Sequence, residues 1–243
     1  MKVIGFGSIG SLVCQELSTV GGFESKTIAK KDFPKVTSVE EAENKFPNIS
    51  LKKFDKQEIC FICSGEEKIS GALLRVLEKI KNSKINLVYI LRDPDLLSEA
   101  VSKQQDVFFK ILQNYARSGL FQSILCVDEL SVKKSFLAEV SILEYEKKFS
   151  KSLAKMINMI GWLKNTEPFY SDIDQRNDAC RMNTLGVFAE GEERLIFPLD
   201  NIRQKDVYFG CTKKTLAEDI SFMEKVKETL KFLKKDQEKV EYK

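Results

Sequence analysis

The chain has 243 residues, with 39 Lys and Arg against 36 Asp and Glu for a net charge of +3, and apolar side chains make up 43% of it. That is core enough for one large domain, or for one plus a smaller appendage, and a charge too near neutral to indicate nucleic acid as a partner. No apolar run reaches the ~18 residues of a membrane span, and the complete absence of histidine removes Ser-His, Cys-His and His-metal chemistry.

Residues 1–11 read MKVIGFGSIGS. An apolar strand over 2–6 runs into Gly5-x-Gly7-x-x-Gly10, and an amphipathic helix starts at once. Glycines allow a phosphate close to the backbone, and the helix N-terminus offers free N–H groups and partial positive charge. Gly5, Gly7, Ser8, Gly10 and Ser11 are therefore candidate anion-binding residues. The alternative is that these glycines only allow tight strand–helix packing. Because the N-terminus enters its first strand directly, no secretory signal is expected and a cytoplasmic protein follows.

Further short apolar runs at 26–29, 58–63, 85–91 and 122–127 have the length of buried strands. Between them lie a helix N-capped by Ser38, helical spacing over 69–82, and more over 96–118 with Gly119 at the left-handed stop. Such alternation predicts an α/β fold, a Rossmann-like parallel sheet with helices on both faces. Cys60-x-x-Cys63 falls within a strand, so its thiols point to opposite faces. With no second Cys pair or His, no metal site is expected. Six cysteines, several inside apolar runs, read as reduced, buried thiols.

Loops after the third, fourth and fifth strands are where such a sheet holds a ligand. After the third come Ser64-Gly65-Glu66-Glu67 and then Ser70-Gly71. Gly65, Ser70 and Gly71 could cradle phosphate, whereas two carboxylates beside a polyphosphate cost Coulomb energy unless a cation intervenes. The alternative is a solvated turn with an acidic helix start. Asp93 follows the fourth strand in a Pro-containing turn. Asp128 and Glu129 follow the fifth, placed to accept from a base edge or to cap the next helix.

From 131 to 164 apolar positions recur with one glycine and no proline, which predicts one helix of about thirty residues or two nearly end to end. Beyond it lie a polar loop with Asp172 and Asp174, short strands near 184–188, 194–199 and 206–209, a helix over 216–233, and a charged tail from Lys234 expected to fray. The expected organisation is a nucleotide-binding domain over 1–130, a long central helix over 131–165, and a small α+β subdomain over 166–243.

The order of these pieces resembles the tubulin/FtsZ superfamily. Gly5–Ser11 is similar to that family's first glycine loop. The segment from Gly65 to Gly71 aligns with its second, G-G-G-T-G-[ST]-G, keeping Gly65, Ser70 and Gly71. Residues 89–94 look like its Pro-containing loop, 111–127 like the helix and strand before the central helix, and 131–164 like the central helix itself. The resemblance implies GTP or GDP with Mg2+ as ligand, Asp128 and Glu129 at the guanine base, and a homo-oligomer or filament as partner. It also implies that an acidic loop over 165–174 would complete GTP hydrolysis across a subunit contact, with Glu167, Asp172 and Asp174 as the catalytic candidates. The short second domain suggests a reduced, divergent member of the kind expected in viruses or phages.

Two alternatives stand beside this. An NAD(P)-dependent oxidoreductase would explain Gly5–Gly10, although the second strand leads into Lys30-Lys31-Asp32 where an acid should hold the ribose. A non-enzymatic interaction module would explain acids where phosphates should sit. One geometric question divides them. Nucleotide recognition needs the first and third-strand turns to face each other across an open anion pocket, and fails where Glu66 and Glu67 plug it.

Overall fold

A computed structural model describes residues 1–136, 140–168, 181–189, 191–200, 202–234 and 239–242. Its centre is a six-stranded sheet of β1 (Lys2–Phe6), β2 (Ser25–Ile28), β3 (Glu58–Ser64), β4 (Lys84–Leu91), β5 (Ser123–Asp128) and β6 (Met182–Asn183). The spatial order is β2-β1-β3-β4-β5-β6, and every pairing is parallel. Parallel sheets are covered on both faces, so their strands are apolar on successive residues, which is why the four longest runs stand out in the sequence.

Alternate residues feed two cores. Ile4, Phe6, Ile59, Phe61, Cys63, Leu87 and Tyr89 face one layer of helices: α2 (Val39–Asn44), α3 (Leu73–Glu78) and α4 (Glu99–Arg117). Val3, Cys60, Ile62, Val88, Ile90 and Val127 face the other: α1 (Gly7–Gly21), α5 (Glu129–Phe136) and α6 (Ile142–Asn165). Cys60 and Cys63 thus lie in opposite cores, as strand geometry requires. Burial pushes the Cys60 thiol up to about 12 and raises that of Cys63 as well. Ser38 N-caps α2 through Glu41 N–H, and Gly119 takes φ +82° after α4.

The 131–164 run is two helices, α5 and α6, one of the two forms expected for it. Other expectations change in detail. The helix expected over 69–82 is a 3-10 turn at Lys68–Ala72 followed by the short α3; within that turn Gly71 presses against the Val39 carbonyl oxygen with no room for a Cβ. The last helix is broken into α7 (Lys213–Glu218) and α8 (Phe222–Leu233). The break is fixed by Asp219, whose Oδ1 accepts from Ser221 N–H at 3.0 Å and from its hydroxyl at 2.7 Å.

Beyond α6, β7 (Gly186–Ala189) and β8 (Glu192–Leu195) form an antiparallel hairpin. The tail expected to fray instead forms β10 (Lys239–Tyr242), which pairs parallel with β9 (Gln204–Val207). Phe188 of β7 packs on Phe232 of α8, ring centres 5.2 Å apart, and Lys205 bridges to Glu193 at 2.6 Å. No helix among the described residues is long and apolar enough to cross a membrane.

Candidate functional site

The strands' carboxyl ends bring the first and third turns together. Gly5 and Gly10 serve packing: a Cβ on Gly5 would collide with the Gly10 carbonyl oxygen, and one on Gly10 would lie 2.5 Å from the Ile62 carbonyl oxygen. Gly7 has φ +79°, a left-handed conformation suited to glycine, and a Cβ there would sit 3.0 Å from Glu67 Oε1. The first turn of α1 has no acidic residue, and Phe6 at its N-cap supplies no side-chain acceptor. Glu67 fills that role from the neighbouring turn, its carboxylate accepting the Ser8 N–H. A carboxylate thus stands at the N-terminal end of α1, where backbone N–H groups and the helix dipole favour an anion.

The rest of the third-strand turn is closed in the same way. Gly65 abuts the Tyr89 hydroxyl and Gln105 Cα with no space for a Cβ, and Gly71 is sealed by Val39. Ser70 donates to the Ser64 carbonyl oxygen at 3.2 Å. Gln104 Nε2 clamps the turn from α4, donating to the carbonyl oxygens of Gly65 at 2.6 Å and Glu67 at 3.1 Å. The Ser11 hydroxyl is buried without a partner among the described residues.

The acids assigned to a base are engaged internally too. Asp128 accepts Ser131 N–H at 2.9 Å and caps α5. Glu129, 2% exposed, pairs with Arg92 Nε at 3.0 Å and accepts Asp93 N–H at 2.9 Å. Asp93 Oδ1 accepts Asp95 N–H at 3.1 Å within its own turn. Arg92 reaches on to Glu146 of α6 at 3.2 Å. Burial works against its charge, but Glu129, Glu66 and Glu146 more than offset this and hold the guanidinium protonated. Gln105 fixes this residue's backbone, accepting Arg92 N–H at 2.8 Å and donating to its carbonyl oxygen at 3.2 Å.

These residues do not fit a polyphosphate with Mg2+. The phosphate position at α1 is occupied by Glu67, with Glu66 beside it. No group of three or more Asp, Glu, Cys or His among the described residues could hold a metal ion. Glu167 is remote: α6 starts at the site, and Glu167 lies beyond its other end, about 30 Å from Glu146 at 1.5 Å rise per residue. There it lines an apolar cavity of about 160 Å³ with Trp162, Tyr208, Phe209, Phe222 and Met223. Asp172 and Asp174 lie outside the described residues.

Sequence reasoning placed the glycine turns and singled out Glu66 and Glu67 as an obstacle to phosphate. It missed Arg92, Gln104, Gln105 and Glu146 as parts of the site. The spacing of α4 and α6 was legible, but nothing in a helical repeat says which polar position turns inward to meet a loop.

No family model and no curated protein matches this sequence. Among solved structures, CetZ from Methanosaeta thermophila strain DSM 6194 superposes over 100% of this chain and 82% of its own, with TM-score 0.63 and 12% identity. CetZ2 from Haloferax volcanii, a GTPγS-bound protofilament, covers 66% of this chain and 58% of its own, with TM-score 0.43 and 12% identity. The chain therefore has a divergent tubulin/FtsZ-like fold, Rossmann-like with helices on both faces of its sheet.

Proposed function

We propose that this chain is a degenerate tubulin/FtsZ-like scaffold whose nucleotide position is closed by its own side chains, and that it acts through protein contacts. The single observation that carries this is the Glu67 carboxylate on the Ser8 N–H, where a bound phosphate would have to sit. Two like charges at that distance exclude each other, so GTP or GDP would have to expel Glu67 and break the Gln104 clamp. An oxidoreductase gains no support: the acid after β2, Asp32, is engaged by Ala29 N–H at 2.8 Å.

The contact that the charge layout favours is with a second copy, head to tail. Lys2, Lys52, Lys53, Lys56, Lys81 and Lys84 lie at the amino edge of the sheet or in the loops leading into it. Glu67, Asp95 and Asp128 lie at the carboxyl edge together with Lys30, Lys31 and Lys68, while Asp93 is buried and Glu66 is turned inward. A lysine-rich amino rim meeting the exposed acids of a neighbour's carboxyl rim gives a heterologous contact that propagates. In that arrangement Glu167 would meet a neighbour's site and never its own.

Calorimetry with GTP and Mg2+ tests the closed site. The expected result is no saturable heat, with light scattering unchanged by nucleotide. A saturating GTP isotherm would overturn it.

A further inference from the structure

Glu66 stands next to the capping carboxylate under opposite physical conditions. Its Oε2 is buried with no hydrogen-bond partner among the described residues. Cys63 and the Ser64 hydroxyl face it from β3, Tyr89 and Arg92 from β4 and its exit, and Glu67 from its own turn. Arg92 is the one cation among these, and its guanidinium is already bonded to Glu129 at 3.0 Å and Glu146 at 3.2 Å. A buried carboxylate without a full partner takes a proton or leaves the interior. Burial accordingly raises the Glu66 carboxyl above its ordinary range, with Glu67 adding to that; Ser64 and Arg92 oppose it.

We propose that Glu66 is a proton switch for the 65–67 turn: as a neutral acid it stays inside and keeps Glu67 on α1, and as a carboxylate it leaves and uncaps the helix. This rests on the closed-site reading given above and names its regulation. Gln104 ties Gly65 and Glu67 into one piece through their carbonyl oxygens, so the outward motion of Glu66 between them carries Glu67 along. The sign follows from proton linkage. The closed turn binds one proton more than the open one. Closure is therefore complete below the ordinary Glu range and is lost as pH rises through the raised value.

Hydrogen exchange at the Ser8 amide reads the switch, expressed as a protection factor so that intrinsic exchange cancels, from pH 5 to pH 9. In the wild type, protection should fall by about tenfold or more across the Glu66 titration, which carbon NMR of the carboxyl follows directly. In Glu66→Gln it should stay flat, and Glu67→Ala should be unprotected throughout. Glu66→Met replaces the amide variant where that one folds poorly. Equal pH profiles in wild type and Glu66→Gln, or a Glu66 carboxyl that titrates in the ordinary range, overturn the switch. A GTP titration of wild type at pH 5, the low end of that series, separates the two ideas. Binding there removes the closed site whatever Ser8 does, whereas no binding with a flat Ser8 profile removes the switch alone.

Discussion

Gly10 shows how little freedom the opening turn has. A methyl group there meets backbone, the Ile62 carbonyl oxygen at 2.5 Å, and backbone cannot rotate away as a side chain can. Gly10→Ala should destabilise by about 2–3 kcal/mol in urea unfolding, and a loss under 0.5 kcal/mol would show that β3 and α1 are less tightly joined. Thiols behave according to burial. Cys14, Cys60 and Cys126 are pushed up by burial to about 11, 12 and 12, so they are protonated and inert at neutral pH. Cys211 is exposed. Ellman's reagent should label Cys211 in the native protein, and Cys14, Cys60, Cys63 and Cys126 only after unfolding. Rapid native labelling of Cys60 would contradict the packing of β3. The adjacent acids at 66 and 67 were legible as charges that phosphate would oppose. That Glu67 bonds to a helix 59 residues earlier was not, because a tertiary cap leaves no mark on local sequence.

At the scale of elements, Arg92 joins β4, α5 and α6. Removing one partner of a buried ion pair leaves the other charge stranded, so Arg92→Met should cost about 3 kcal/mol in a denaturant titration. Much of that should return in Arg92→Met with Glu129→Gln, since the stranded charge is then gone. Additive losses in the double variant would show that the pair does not couple. The strands were readable from sequence because a sheet buried on both faces demands continuous apolar runs. The helices were less so. α3 is preceded by a 3-10 turn in which Gly71 packs on Val39, a contact between segments far apart in the chain, and the α7–α8 break depends on one Asp219–Ser221 cap that the apolar repeat runs straight through.

At the scale of the molecule, the parallel sheet sets a lysine-rich amino rim against a carboxyl rim of mixed charge. Self-association driven by these rims should be screened once the Debye length falls below the contact distance. Light scattering at low salt should exceed that at about 0.5 M salt; equal scattering would exclude charge as the driving force. The stretch beyond α6 was the hardest to read. β6 has 2 residues and β9 and β10 have 4 each, too short for a period-2 pattern, and β10 lies in a stretch of the sequence rich in charge. The central claim is that Glu67 occupies the anion position of this fold. Calorimetric titration of GDP into Glu67→Ala beside the wild type tests it most directly. Saturable binding in the variant and none in the wild type is the predicted result, and wild-type binding equal to or tighter than the variant's would contradict it.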